Sequence, residues 1–203
     1  MNTQEAVEPK KNVFKVIAKI LGIFLTVVLV LFFGFRIYIN SNYVNRFISG
    51  FSMEPTFSGS AGEYHYLYMK KIDSGTKIKR FDIVALHYQK NANGQWVDWI
   101  KRVIGLPNEN IKYVKGQLYI NDKIVNEPFV DSYYFAEFDY ELTLEKDEYF
   151  VIGDNRLVTT KGKIQRKYIY AINGFIYKTC NQPNKSGMGL LESGCKITYK
   201  KIG

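Results

Sequence analysis

The sequence predicts a mainly β protein, in which one N-terminal transmembrane helix precedes an antiparallel β-barrel or β-sandwich domain. The run from Ile20 to Phe35 is apolar and contains no charged residue. The chain holds 16 Tyr and 14 Phe residues, which favour strands. Beyond the apolar run, short strand-like segments alternate with Gly and Asn turn signals, and few helical periods are visible.

The predicted anchor extends beyond the uncharged run, because the apolar pattern continues outward over residues 13–39. Lys15, Lys19 and Arg36 lie near its ends, where long side chains can reach the membrane interface. A cleaved signal peptide is the alternative. No small-x-small cleavage site follows the apolar run, which favours an uncleaved signal anchor.

The charges that flank the anchor predict its orientation. Four lysines precede its uncharged core and two arginines follow it, namely Lys10, Lys11, Lys15, Lys19, Arg36 and Arg46. The positive-inside rule then places residues 1–12 in the cytosol and residues 40–203 outside. We therefore expect a single-pass protein of the cell membrane with an extracytoplasmic domain.

The formal net charge of +9 is compatible with two classes of binding partner, nucleic acid and an anionic membrane surface. Nucleic acid is disfavoured, because the basic residues are scattered and no helix-turn-helix or zinc-finger pattern is visible. The anionic surface of a lipid bilayer is the simpler partner for a tethered basic domain. The chain has two Cys and two His residues, none at metal-ligand spacing, so we expect no metal and no cofactor.

The outer domain contains seven strand-like runs. Asn93-Gly94 is a hairpin turn signal between the second and third runs, and the fourth turns at Lys115-Gly116. The runs are Tyr64–Ile72, Phe81–Tyr88, Trp96–Ile104, Ile111–Ile120, Lys123–Val125, Glu148–Ile152 and Tyr168–Tyr177.

The two cysteines, Cys180 and Cys195, flank a turn-rich segment at 181–194. Outside the membrane they can form a disulfide, whose loop of about 15 residues would contribute about 3 kcal/mol. Two unpaired thiols are the alternative, and the sequence does not decide between them.

Lys101 is an unusual residue for its position in the predicted strand. If side chains alternate, it lies on the same face as the apolar Trp99 and Val103. A lysine in such a position usually reaches the surface. If it is buried, however, desolvation lowers its pKa, and a neutral amine can then act as a general base towards a serine.

Three segments, 51–57 (FSMEPTF), 80–107 and 148–156 (EYFVIGDNR), together resemble the type I signal peptidase family of membrane-bound serine endopeptidases. The first contains the family's Ser-Met-x-Pro-Thr box, the second its Lys-Arg-Val-x-Gly-x-Pro box and the third its Gly-Asp-Asn-Arg box. Asn-Glu-Pro at 126–128 fits the segment between the last two boxes. The resemblance covers nearly the whole chain, including the anchor.

The resemblance implies cleavage of signal peptides from secreted precursors by a Ser-Lys dyad. Ser52 would be the nucleophile and Lys101 the general base, with the backbone N–H of Ser52 in the oxyanion hole. Gly50 would allow close approach of the backbone, and Met53 and Pro55 would shape the loop. The family's structural motif residues correspond to Asp82, Arg102, Gly153, Asp154, Asn155 and Arg156.

The chain departs from the family pattern in several places. Phe81 stands where the family usually has Gly, and Asn108-Glu109 where it has Gly-Asp. After Arg156 the run LVTTKGK lacks the usual Asp-Ser-Arg, and Thr159 takes the place of the serine that orients the lysine, with Thr160 in reserve. We therefore expect a slower peptidase, dedicated to a few precursors such as pilus subunits.

Three other functions match part of the sequence pattern. Ser74 to Lys77 match the Ser-x-x-Lys of penicillin-binding enzymes, but no Lys-Thr-Gly partner is present. An autoprotease of the LexA type would need a DNA-binding module in place of the anchor. The main alternative is a signal-peptidase-like chaperone or assembly factor for surface pili that cleaves little; the presence of both Ser52 and Lys101 favours the enzyme.

Overall fold

The computed structural model of the chain describes residues 10–57, 63–180 and 195–202. Most of the predicted cytosolic segment 1–12 and the turn-rich segment 181–194 lie outside the described residues. The chain divides into two units, a helical one that ends at Asn42 and a β unit that begins at Tyr43.

The helical unit is a single helix, α1, Lys10–Asn42. The helix contains no proline, and near its end the Asn42 amide donates to the Tyr38 carbonyl at 2.9 Å. Residues Val13–Asn42 are long and apolar enough to cross a membrane. At about 1.5 Å per residue the helix exceeds the roughly 30 Å hydrocarbon core, so its ends can extend into the interface.

The described part of the β unit contains twelve strands. Together with α1 they confirm the predicted mainly β fold. The strands are β1 Tyr43–Ile48, β2 Tyr64–Lys71, β3 Ile83–Lys90, β4 Trp96–Gly105, β5 Asn110–Val114, β6 Gln117–Ile120, β7 Lys123–Ile124, β8 Tyr140–Thr143, β9 Glu148–Ile152, β10 Lys161–Gln165, β11 Ile169–Cys180 and β12 Cys195–Ile202.

The strands form two antiparallel sheets. The larger sheet has the order β1-β2-β11-β3-β4-β9-β10, with β12 paired to β11, and the smaller has the order β7-β6-β5-β8. Both hairpins predicted from turn signals, β3–β4 and β5–β6, are present. Gly94 and Gly116 adopt φ of +75° and +80°, which explains glycine at these two turns.

The strands that the sequence analysis missed are β1, β8, β10 and β12. Each lies at the edge of its sheet. Edge strands carry polar residues and bury little, so their apolar pattern is weak. The central strands β3, β4 and β9 have nearly continuous buried runs, which is why they were recognised.

One hydrophobic cluster lies directly beneath the segment that carries Ser52. Met53 and Phe57 are buried in it, and burying each side chain contributes about 2 kcal/mol. Their partners come from five strands and include Ile48, Leu67, Met69, Ile83, Ala85, Ala171, Ile176 and Ile202. The loop is therefore attached to the rigid part of the larger sheet.

Cys180 and Cys195 form a disulfide, which settles the choice that the sequence left open. The two residues are register partners at the ends of β11 and β12. The bond therefore closes the chain segment between two paired strands.

Candidate active site

Ser52 lies in a short turn that follows β1. The turn is closed by backbone hydrogen bonds from Glu54 N to Phe51 O (3.2 Å) and from Phe57 N to Met53 O (2.9 Å). Since Met53 and Phe57 are buried on either side of the turn, Ser52 is held partly exposed at its surface.

Lys101 lies on β4 and is only 4% exposed. Its Nζ is 2.6 Å from the Ser52 Oγ, which is hydrogen-bonding distance. The predicted serine and lysine are thus brought together across 49 residues of sequence. The Trp99 ring, on the same strand face, has its centroid 5.4 Å from the Nζ and covers the amine.

Burial lowers the pKa of the Lys101 ammonium from 10.5 to about 8, while the charge of Asp154 acts in the opposite direction. At pH 7 about one Lys101 amine in ten is therefore neutral, far more than the ordinary pKa of 10.5 would allow. A neutral amine has a lone pair that can accept the Ser52 proton, which an ammonium does not.

Arg102 and Asp154 form a buried ion pair next to the Ser52 turn. The Arg102 Nε donates to Asp154 Oδ1 at 2.8 Å and its Nη2 to Oδ2 at 2.5 Å. The Thr56 hydroxyl also donates to Oδ2, at 2.5 Å. The Arg102 Nη1 donates to Phe81 O at 2.9 Å. The pair therefore ties the Ser52 turn to β4 and to the segment before β3.

Gly153 and Asn155 hold the other side of the Ser52 turn. The backbone N–H of Asn155 donates to Ser52 O at 3.2 Å. A Cβ on Gly153 would collide with Ser52 O and with the Thr159 hydroxyl. Only glycine therefore fits at this close approach of two backbones.

Thr159 does not make the contact that we expected. Its hydroxyl accepts from Gly153 N at 2.9 Å and donates to Thr160 O at 3.0 Å, rather than bonding the Lys101 amine. It orients the backbone next to Ser52 instead. Thr160, the reserve candidate, lines the same cleft as Lys101.

Arg156 is anchored by a carboxylate that the sequence analysis left without a role. Its Nη1 and Nη2 donate to Glu127 at 3.0 and 2.6 Å, and its Nε donates to Gly153 O at 3.1 Å. The Tyr113 hydroxyl donates to the same carboxylate at 3.1 Å. Glu127 belongs to the Asn-Glu-Pro segment, so this box fixes the Gly-Asp-Asn-Arg box.

Asp82 links the start of β3 to β11. Its carboxylate accepts from Lys79 N (2.7 Å) and from the Asn173 amide (2.8 Å), and Asn173 in turn accepts from Ile83 N (2.9 Å). These contacts position β3, which pairs with β4, the strand that carries Lys101. The role of Asp82 is therefore structural.

Gly50 does not make the close backbone approach that we expected, and Pro55 lies in the turn that carries Ser52. Gly50 lines the cleft, but a Cβ there would meet nothing within 4 Å, so close backbone approach does not explain this glycine. Pro55 lies outside the cleft, on a neighbouring hollow with His65 and Thr179.

Phe81 and Asn108, which stand where the family usually has glycine, share an unusual backbone conformation. Phe81 and Asn108 adopt φ of +72° and +66°, a left-handed conformation that glycine adopts at lower cost. The neighbouring Glu109 supplies the carboxylate that the family pattern has there. It pairs with Arg80 at 2.6 Å and accepts from Leu106 N at 2.7 Å.

A cleft of about 380 Å³ opens beside Ser52. Its walls come from the end of β1, from β4 and from the segment after Arg156, and its lining residues include Arg46, Ile48, Asp98, Trp99, Ile100, Val158 and Thr160. Sequence reasoning found a site role for only Gly50, Ser52, Met53, Lys101 and the reserve candidate Thr160 of this lining. The described residues contain no group of His, Cys, Asp and Glu side chains that could hold a metal ion.

A partly exposed serine hydroxyl against a buried, partly neutral lysine, beside an open cleft, is the arrangement of Ser-Lys serine hydrolases. The family model for signal peptidase, peptidase S26, matches residues 15–165. Because this match covers more than half of the chain, the chain belongs to the signal peptidase family, whose members are serine endopeptidases.

Curated proteins that are similar to this chain are also signal peptidases. Signal peptidase I V of Bacillus subtilis (strain 168) is 35% identical over 151 residues, which cover 66% of this chain and 84% of that protein. Signal peptidase I U of the same strain is 36% identical over 118 residues, which cover 54% of this chain and 59% of that protein. A crystal structure of a signal peptidase I from Enterococcus faecalis V583 is 31% identical, with a TM-score of 0.39, over 48% of this chain and 97% of that chain.

Proposed function

We propose that this protein is a membrane-bound endopeptidase that removes signal peptides from secreted precursors, with Ser52 as nucleophile and Lys101 as general base. The observation that carries the proposal is the 2.6 Å contact between the buried Lys101 amine and the Ser52 hydroxyl. The neutral amine takes the hydroxyl proton while the Ser52 oxygen attacks the scissile carbonyl. The resulting ammonium returns the proton to the leaving amine, and water then hydrolyses the acyl ester.

We further propose that α1 anchors the protein with residues 1–12 in the cytosol, so that the β unit meets precursors on the outer face. The lysines that precede the apolar core support this orientation. Protease added to intact protoplasts should digest the β unit and spare the N-terminal residues. Protection of the β unit would contradict the orientation.

Cleavage is tested with a precursor that has Ala at the first and third positions before the cut, small residues that the family resemblance implies. Wild type should release the mature protein, and Ser52→Ala and Lys101→Met should each lower the rate by at least about 1,000-fold. Two variants are the controls. Ser49→Ala removes a neighbouring hydroxyl in the same cleft, and Lys178→Met removes another buried lysine; both should retain activity. Full activity of Ser52→Ala would refute the proposal.

We also propose a narrow range of precursors, such as surface or pilus subunits. The Asp-Ser-Arg segment is absent after Arg156, and the Thr159 hydroxyl is bonded to backbone atoms instead of Lys101. Misplacement of a base by about 1 Å can cost roughly 100-fold in rate. Equally fast cleavage of many unrelated precursors would contradict the narrow range and leave the peptidase assignment intact.

A further inference from the structure

The lining of the cleft beside Ser52 includes both apolar and charged side chains. Ile48 on β1 and Ile100 on β4 line the cleft together with Ser52. Two residues earlier on the same strands are Arg46 and Asp98, which also line the cleft. Side chains two residues apart on a strand share a face, so these charged groups continue the wall that the isoleucines begin.

Arg46 and Asp98 form a closed triangle with Tyr170. The Arg46 Nη2 is 3.3 Å from Asp98 Oδ2, and its Nε donates to the Tyr170 hydroxyl at 2.6 Å. That hydroxyl donates to Asp98 Oδ2 at 2.8 Å. Burial, with help from the Asp98 hydrogen bond, raises the pKa of the Tyr170 phenol, so it remains a donor. The triangle joins β1, β4 and β11.

Asp98 is held on its other oxygen as well. Its Oδ1 is 2.6 Å from His87 Nδ1, and the His87 ring stacks between Tyr170 and Trp96, with centroid distances of 4.5 and 5.1 Å. The carboxylate is therefore fixed from two sides. It has little freedom to move away from a bulky apolar substrate side chain.

Arg46 lines the cleft and keeps hydrogen-bond donors beyond the contacts just described. Of the five guanidinium N–H groups, the bonds among the described residues use three, to Tyr170, Asp98 and the Asn45 carbonyl. The side chains of Arg46 and Asp98 are 29% and 28% exposed, so both still meet water. An apolar group placed against them removes that water without replacing its hydrogen bonds, whereas a hydroxyl or amide replaces them.

We propose that Arg46 and Asp98 are specificity-determining residues that select precursors with a Ser, Thr or Asn side chain at the position lying against this part of the cleft. The inference rests on the proposed peptidase function. A fully buried site discriminates strongly against a substrate that lacks the hydrogen-bonding group, but water partly compensates at a site that is nearly a third exposed. We therefore expect a preference of about tenfold for Thr over Val, and for Asn over Leu.

The experiment uses signal-peptide substrates with Ala at the other upstream positions and Thr, Val, Asn or Leu placed at each position in turn. Wild type should show the tenfold preference in kcat/KM at one position. In Arg46→Met the ratio of kcat/KM for Thr over Val, and for Asn over Leu, should fall below about twofold. Lys112→Met, which removes the cation of a pair between β5 and β8, is the control and should keep the wild-type profile.

Two results would overturn the inference. One is a wild-type profile in which kcat/KM for Val and Leu equals or exceeds that for Thr and Asn at every position. This result is obtained with the wild type alone and does not depend on whether a variant folds. The other is a polar preference that survives in folded Arg46→Met. Failure of wild type to cleave any of these peptides would instead contradict the proposed function, and the inference with it.

Discussion

Lys101→Met should make the protein more stable at neutral pH while it abolishes cleavage. Methionine is about as long as the lysine stem and carries no charge, so it can occupy the same buried site on β4. Burial lowers the pKa of the lysine from 10.5 to about 8. Below pH 8 the folded protein therefore bears the full cost of a buried ammonium, which the unfolded chain does not bear.

The magnitude follows from the shift. A lowering of about 2.5 units corresponds to about 3 kcal/mol at about 1.36 kcal/mol per unit. The variant loses the hydrogen bond to Ser52, worth about 1 kcal/mol. The net gain in unfolding free energy at pH 7 is therefore about 2 kcal/mol. It should shrink as pH rises from 8 to 10.5, because the wild-type lysine becomes neutral in the unfolded chain as well.

The assay is urea denaturation of the full chain in detergent, followed by the fluorescence of Trp96 and Trp99 and repeated between pH 6.5 and 10.5. Ser52→Ala is the control: it removes the same hydrogen bond but keeps the lysine, so it should show the wild-type pH dependence without the gain. A Lys101→Met variant that is less stable than wild type at pH 7, or that follows the wild-type pH dependence, would refute the reasoning.

Three further changes test other parts of the structure. Gly50→Ser should raise kcat about tenfold by adding a donor for the oxyanion, since the site has room for a side chain; Gly50→Ala should not, and an equal gain from both would contradict this role. Arg102→Met leaves the wholly buried Asp154 without its charge partner and should cost at least about 3 kcal/mol in urea denaturation, whereas a loss below about 1 kcal/mol would show that the pair is dispensable. Replacing Cys180 and Cys195 together by Ser opens a 15-residue loop and should cost about 3 kcal/mol relative to oxidised wild type, and no difference would contradict a stabilising disulfide.

The sequence predicted the parts of the fold whose residues carry a strong local signal. The central strands have continuous buried runs, and the two predicted hairpin turns place Gly94 and Gly116 at positive φ. The edge strands lack that signal because one side of each has no partner strand. Their pairing depends on the rest of the sheet, which no local pattern reports.

The candidate site was predicted as far as the motifs extend. Ser52 and Lys101 were recognised from their boxes, but the Arg46–Asp98 wall was not. Three strands separate β1 and β4 in the sheet order, so these side chains meet only because the sheet curls. The position of Thr159 along the chain did not predict its hydrogen-bond partner. A threonine hydroxyl can bond a nearby backbone group, and here it accepts from Gly153 N.

The central claim is that neutral Lys101 activates Ser52, and the pH dependence of wild-type kcat/KM tests it most directly. The substrate is an Ala-x-Ala precursor peptide with no group that titrates between pH 6 and 10. The account predicts that kcat/KM rises about tenfold per pH unit below pH 8 and levels off above an apparent pKa of about 8. A rate that is flat from pH 6 to 9, or that falls as pH rises through 8, would contradict a lysine base.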